Sequence, residues 1–210
     1  MIIETMSSLE KYNEIMNDYD SVVRYVERAK MPKFFRFAKK SKNYPIKFLP
    51  FQYKSRRENK YYIEIEFKDK KAVKEQSYLI TTLSTFTYRG ANALISLTVD
   101  YFTNEPIVTI YLPHLFKRYR KRLFIKPEIS NMDLIFQFFE DNPMGAYQPN
   151  PSEKYGPNAI ACTVNRGLLL GIREENVFVY KTFLPDDSLN KKQQSKYNIV
   201  GLNNFMRNIA

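Results

Sequence analysis

Apolar residues return every three or four positions near the start of the chain, at Leu9, Tyr12, Ile15, Met16, Tyr19, Val22, Val23 and Val26. This spacing predicts an amphipathic helix over residues 7–30, capped by Ser7 or Ser8 with acids in its first turns. Its acidic first half and basic end (Arg24, Arg28, Lys30) suit the helix dipole. Irregular, extended chain follows around Pro45 and Pro50. Residues 61–67 alternate apolar and polar, as a half-exposed strand does. Segments 78–88 and 93–102 are rich in Thr, aromatic and β-branched residues, and Arg89-Gly90 marks the turn between them.

A strand over residues 107–111 runs directly into a helix that starts at Pro113, where the missing N–H costs nothing. Leu112, Leu115, Phe116, Tyr119 and Leu123 form its apolar stripe. A second helix is expected over 132–140, capped by Ser130 or Asn131. The Pro- and Gly-containing loop 142–158 has the length of a lid. Strands at 159–164, 168–172 and 177–184 then read as a meander, and the tail is weakly helical around Leu202, Phe205 and Met206. The expected fold is α+β: an antiparallel sheet with an N-terminal helix, two central helices and a C-terminal three-stranded meander. Its segments are 1–30, 31–112 and 113–210, with 31–210 able to form one domain.

Composition narrows the chemistry. The chain has 210 residues, 44% apolar and 15% aromatic, which suits a folded protein with a core. One cysteine and one histidine exclude internal disulfides and the usual zinc sets. Cys162 lies in the apolar run 159–164 and reads as a buried, inert thiol. No apolar run reaches the length of a membrane span, and the N-terminus lacks the features of a secretion signal, so a cytoplasmic protein is expected. Phosphate-binding glycine loops, metalloprotease motifs and nucleophile elbows are missing, and the sequence calls for no cofactor or metal.

The net charge is +11, and its location is uneven. Between Arg24 and Lys60 there are thirteen basic residues against two acids, Glu27 and Glu58, a difference of eleven that equals the whole net charge. Phe34, Phe35, Phe37, Tyr44, Phe48, Phe51 and Tyr53 are threaded through this segment. Cations interleaved with rings can hold a phosphate backbone and stack bases, which nominates Lys33, Arg36, Lys39, Lys40, Lys42, Lys54, Arg56 and Arg57 as nucleic-acid contacts. The same pattern also describes a core-facing aromatic row with a solvated basic face, or a patch for an anionic membrane or an acidic protein.

The helix after Pro113 carries the only histidine. His114, Arg118 and Arg122 stand at i, i+4 and i+8 and share a face. Cleavage of RNA by its own 2′-hydroxyl needs an acid or base and fixed cationic donors to the phosphorane, and no metal. His114, with its pKa lowered by the neighbouring arginines, has the first role, and the guanidiniums have the second. Arg166, Arg173, Lys181 and Thr182 on the meander are candidates to complete the site.

The pattern H-x-x-x-R-Y-x-x-R at a helix start, then a second helix and a meander ending in Lys181-Thr182-Phe183, resembles the small ribonuclease fold of RelE/ParE-type toxins, colicin nuclease domains and EndoU. The resemblance covers about residues 112–184. It implies a metal-independent endoribonuclease with His114, Arg118, Arg122, Lys181 and Thr182 in its site and RNA, rather than DNA, as partner. Two other readings stand beside it. One is a non-catalytic nucleic-acid-binding or phage accessory protein. The other is a regulatory protein whose basic surface meets an acidic partner.

Overall fold

Ser7 and Glu10 close a capping box, the Glu10 amide donating to Ser7 Oγ at 3.2 Å and the Ser7 amide to Glu10 Oε2 at 2.7 Å. The first helix, α1, spans Ser8–Tyr25 in a computed structural model that describes residues 1–99, 106–123, 128–142, 145–151 and 155–197. It does not end where the apolar spacing suggests. A π-helical turn, Val26–Lys30, carries it into α2, Met31–Lys40. Proline in a helix lacks an N–H and crowds the carbonyl four residues back. The wider turn before Pro32 accommodates it, and ten residues beyond the helix expected over 7–30 are helical.

The chain divides into two compact units, Met1–Val108 and Thr109–Ala210. In the first, β1 (Ile46–Lys54), β2 (Lys60–Phe67), β3 (Leu79–Tyr88) and β4 (Ala91–Val99) pair in order, each antiparallel to the next. A short helix, α3 (Lys70–Lys74), capped by Asp69, links β2 to β3. Arg89 and Gly90 form the tight β3–β4 turn with φ of 49° and 75°, a conformation that favours glycine at the second position. Pro50 falls at a bulge in β1, between Phe48 and Phe51, and β1 is the outer strand of this meander. An outer strand tolerates a residue that cannot donate to a ladder.

Tyr61, Ile63, Ile65 and Phe67 alternate into the core, as their spacing predicts. The helical rod lies on that face. Its buried side is more polar than the apolar spacing implied: Lys11, Glu14 and Asp18 are buried with Ile15, Val22 and Val26, while Leu9 is exposed. Asn59, 2% exposed, donates to Glu14 Oε1 at 3.1 Å and to Asp18 Oδ2 at 2.7 Å, and accepts from the Ile2 amide at 2.7 Å. Tyr61 donates to Asp18 Oδ2 at 3.0 Å, and Arg57 to Glu14 Oε2 at 2.9 Å. Burial works to raise the Glu14 pKa, but hydrogen bonds from the chain's amino group and Asn59, with the charge of Arg57, outweigh it and hold the carboxyl below its usual range. Two buried carboxylates thus fasten α1 to the β1–β2 turn.

In the second unit, β5 (Pro106–Tyr111) neighbours β9, and the order continues β9-β8-β7-β6. The strands β7 (Ala159–Val164), β8 (Gly167–Glu174) and β9 (Val177–Pro185) form the expected antiparallel meander. It has a fourth strand: β6, Gly145–Pro149, pairs antiparallel to β7 inside the stretch expected to be a loop. An exposed five-residue outer strand with glycine and proline at its ends has no apolar alternation to reveal it. The two central helices are α4 (Pro113–Arg122) and α5 (Asn131–Asp141), the latter capped by Ser130. A 3₁₀ turn, Asp186–Ser188, leads to α6, Lys191–Lys196. The helical expectation around Leu202, Phe205 and Met206 lies outside the described residues. Among the described residues no helix is long and apolar enough to cross a membrane.

The polar network yields a stability prediction. Asn59→Ala removes three hydrogen bonds, two of them to carboxylates, and should cost about 3 kcal/mol, against about 1.5 kcal/mol for Tyr61→Phe. Urea unfolding followed by circular dichroism measures both. An unchanged midpoint for Asn59→Ala would show that the network does not hold α1.

Candidate functional site

Aromatic packing positions α4. Leu115, Phe116 and Tyr119 are buried, and the Tyr119 ring meets Phe183 of β9 at 5.0 Å and Phe138 of α5 at 5.1 Å. The Leu112 amide donates to the Tyr180 carbonyl of β9 at 3.0 Å, fixing the start of the helix. At the other end Arg122 donates to the Phe183 carbonyl. The Tyr119 hydroxyl donates to Asp141, with burial and that carboxylate together pushing the phenol pKa upward. Arg120 donates to the Ile129 carbonyl at 2.8 Å and Asn131 Oδ1 at 3.1 Å, tying α4 to the start of α5.

On the outer side His114 is exposed. Arg118 Nε donates to His114 Nε2 at 2.5 Å, so Nε2 is the acceptor and the neutral ring carries its proton on Nδ1. Partial burial, then the charges of Arg118, Lys117 and Arg122, lower the histidine pKa. Burial, with Arg118, also lowers that of Arg122. The expected trio is therefore one assembly: a neutral imidazole bonded to one guanidinium, with the second guanidinium turned toward β9.

Thr182 belongs to another surface, and Lys181 stands at an irregularity beside it. Leu170 pairs with Thr182 and Gly171 with Tyr180, which leaves Lys181 as the extra residue of a β-bulge. Tyr180 faces Tyr111 and Phe183 faces Tyr119, so both lie on the α4 side of the sheet. Thr182, next to Phe183 and paired with Leu170, falls on the opposite side, where the neighbouring Leu184 packs with Leu168, Leu189 and Tyr197. Lys181 is exposed at the bulge itself. Gly171 makes the bulge possible, because a Cβ there would lie 2.1 Å from the Val179 carbonyl oxygen. The Thr182 hydroxyl is buried with no hydrogen-bond partner among the described residues.

The other two meander candidates are engaged elsewhere. Arg173 lies over the rings of Tyr147 and Phe178 and donates to the Glu175 carbonyl at 2.9 Å. Arg166 sits in the β7–β8 turn, its amide on Asn142 Oδ1 at 3.1 Å, and its charge acts on the Tyr119 phenol. Cys162 is buried, with its thiol pushed up to about 11 by burial, as expected of an inert side chain.

The basic segment separates into two kinds of cation. Lys30 lies over Phe51 and Tyr25, Lys47 pairs with Glu64 at 3.2 Å, Lys54 pairs with Glu58, and Arg57 pairs with Glu14. Lys33, Arg36, Lys39 and Lys40 occupy one arc of α2, all exposed and with no ion pair among the described residues. Lys42 and Arg56 are exposed as well. The rings mostly face inward: Phe34 stacks on Phe48 at 4.0 Å, Tyr25 on Tyr53 at 4.4 Å, and Phe35 packs on Phe67 at 5.0 Å. Phe37, 60% exposed, is the exception. Pro32 and Gln76, which sequence reasoning passed over, line a groove beside the arc together with Phe35. Reading Pro32 as the first turn of a new helix was the signal that would have found it.

The histidine offers a direct test. A single imidazole resonance should titrate below the ordinary value of about 6.5. Arg118→Ala should bring it back further than Arg122→Ala, and NMR titration of the two variants measures the difference. Equal midpoints in all three proteins would mean that the guanidinium contact does not form. Compared with known proteins, the chain matches no family model, no curated protein and no solved structure.

Proposed function

We propose that the protein binds nucleic acid, with RNA preferred to DNA, through the cationic arc of α2. The observation that carries this reading is the exposure of Lys33, Arg36, Lys39 and Lys40 without internal partners, on a helix whose other side is fastened by stacked rings. Four like charges on one helical face repel one another by a few tenths of a kcal/mol per pair. A phosphate backbone relieves that repulsion and releases counterions as it binds. Lys42 extends the same footprint, whereas Lys54 and Arg57 are drawn into ion pairs and contribute less. The reading implies a cytoplasmic location, where RNA is at hand.

A second reading, metal-independent cleavage of RNA, is favoured by the His114–Arg118 contact. A neutral imidazole beside a guanidinium supplies a proton-transfer group and a donor to phosphate oxygens. Nε2 accepts a proton only after Arg118 swings onto the phosphate. Thr182 takes no part in this version of the site, because it faces away from α4.

Two experiments separate these readings. Binding to a single-stranded oligonucleotide should weaken with salt, with a slope of log affinity against log salt of about −3 for four to five phosphate contacts. Replacing Lys33, Arg36, Lys39 and Lys40 with glutamine should abolish most of that slope. If the quadruple variant binds as tightly, α2 is not the footprint and an acidic protein becomes the better partner for the surface. The cleavage reading predicts RNA hydrolysis in EDTA that is lost in His114→Ala, and hydrolysis that survives this change would exclude His114 from the chemistry.

A further inference from the structure

Beside the cationic arc lies a groove of about 390 Å³, lined by Pro32, Phe35, Arg36 and Lys39 of α2 and by Gln76 just after α3. The four α2 residues stand at i, i+3, i+4 and i+7 and form one continuous wall. Its volume lies within the range of small-molecule sites. The opposite wall is fixed by backbone. Gln76 has a φ of 57°, its amide donates to the Val73 carbonyl at 3.3 Å, and the Ser77 amide donates to Ala72 at 2.9 Å. Phe35 is held from behind by Phe67 at 5.0 Å and by Tyr78, edge-on, at 6.3 Å.

These groups are of three kinds. Arg36 offers paired N–H donors, the arrangement that suits phosphate oxygens, and Lys39 adds a point charge. Phe35 and Pro32 form an apolar wall, which a bare phosphate would not use. The Gln76 amide both donates and accepts, as the edge of a nucleobase does. We infer that the groove holds one nucleotide unit of a single strand: phosphate on Arg36 and Lys39, base against Phe35 and Pro32, base edge toward Gln76. A base inside a duplex is stacked and paired and cannot enter, so the groove makes the protein selective for single strands. This assignment rests on the nucleic-acid reading of α2.

The test is fluorescence anisotropy on the full chain, with a labelled 12-nucleotide single-stranded RNA and a blunt duplex of the same length at about 0.1 M salt, where screening leaves contact charges effective. The single strand should bind at least tenfold more tightly. Phe35→Leu, which keeps apolar packing, should weaken single-strand binding between five- and a hundredfold, the range for one lost base stack, and leave duplex binding unchanged. Gln76→Ala, at an exposed position, should weaken the single strand alone and decides the matter if Phe35→Leu alters the fold. Lys33→Gln, outside the groove, should weaken both ligands equally. Uridine monophosphate should displace the strand at concentrations where inorganic phosphate does not.

Equal affinity for strand and duplex, with Gln76→Ala and Phe35→Leu both silent, overturns the groove while leaving α2 as a general phosphate binder. Displacement by inorganic phosphate as readily as by the nucleotide also overturns it. Tight binding of the free nucleotide without strand binding assigns the groove to a free metabolite instead. Loss of all salt-sensitive oligonucleotide binding in the unmodified protein, or binding only to vesicles containing anionic lipid, defeats the nucleic-acid reading itself.

Discussion

The stacking of Phe34 on Phe48, 4.0 Å between ring centroids, and of Tyr25 on Tyr53, at 4.4 Å, seats the long helical rod on the first sheet. Its consequences reach the surface. Once Phe34, Phe35 and Ala38 face the sheet, helical geometry leaves Lys33, Arg36, Lys39 and Lys40 no direction but outward. Each stacked pair adds stabilisation beyond the area it buries, which offsets the repulsion among the cations opposite. Rings that might have stacked on bases are therefore mostly committed to holding the helix that displays the charge. Under the proposed reading, binding would fall to the cations and to the one partly covered ring at the groove, Phe35.

The second unit treats its charge differently. Its basic helix is the densest cluster of cations in the chain, yet Arg120 and Arg122 donate to backbone carbonyls and Arg118 to a histidine. Guanidiniums spent on carbonyls act as fasteners between α4, α5 and β9, and only Lys117 and Lys121 are fully exposed. A sequence count makes this helix the natural anion site. By accessibility the α2 cations are the better placed, being exposed with no ion pair among the described residues.

Much of the framework was legible in sequence because it depends on local rules. Ser7 or Ser8 followed by acids spelled a helix cap, Arg89-Gly90 spelled a tight turn, the alternation from Tyr61 to Phe67 spelled a half-buried strand, and Pro113 spelled a helix start. What escaped depends on context. Pro32 reads as a stop unless a wider turn precedes it, and nothing in the local pattern announces the π-helical turn at Val26–Lys30. Glu14 and Asp18 read as solvated because their partners, Asn59 and Tyr61, lie more than forty residues away. The site in the second unit was half legible: helical spacing put His114, Arg118 and Arg122 together, and the same spacing rule holds in the structure. The side of Thr182 was not legible because one inserted residue in β9 breaks the alternation that would have set it.

That bulge bears on how any chemistry at His114 would be organised. An acid–base group acts through donors fixed near the position of developing charge, and the Thr182 side chain expected to supply one faces the opposite surface. The two guanidiniums that share the face of His114 are already bonded, Arg118 to His114 Nε2 and Arg122 to the Phe183 carbonyl. Phosphate would have to displace these bonds before either guanidinium could serve it. The α2 cations face no such competition. Under the proposed reading an anionic chain would thus be met first by α2, and His114 would act only where an approaching phosphate repays the breaking of the Arg118 contact.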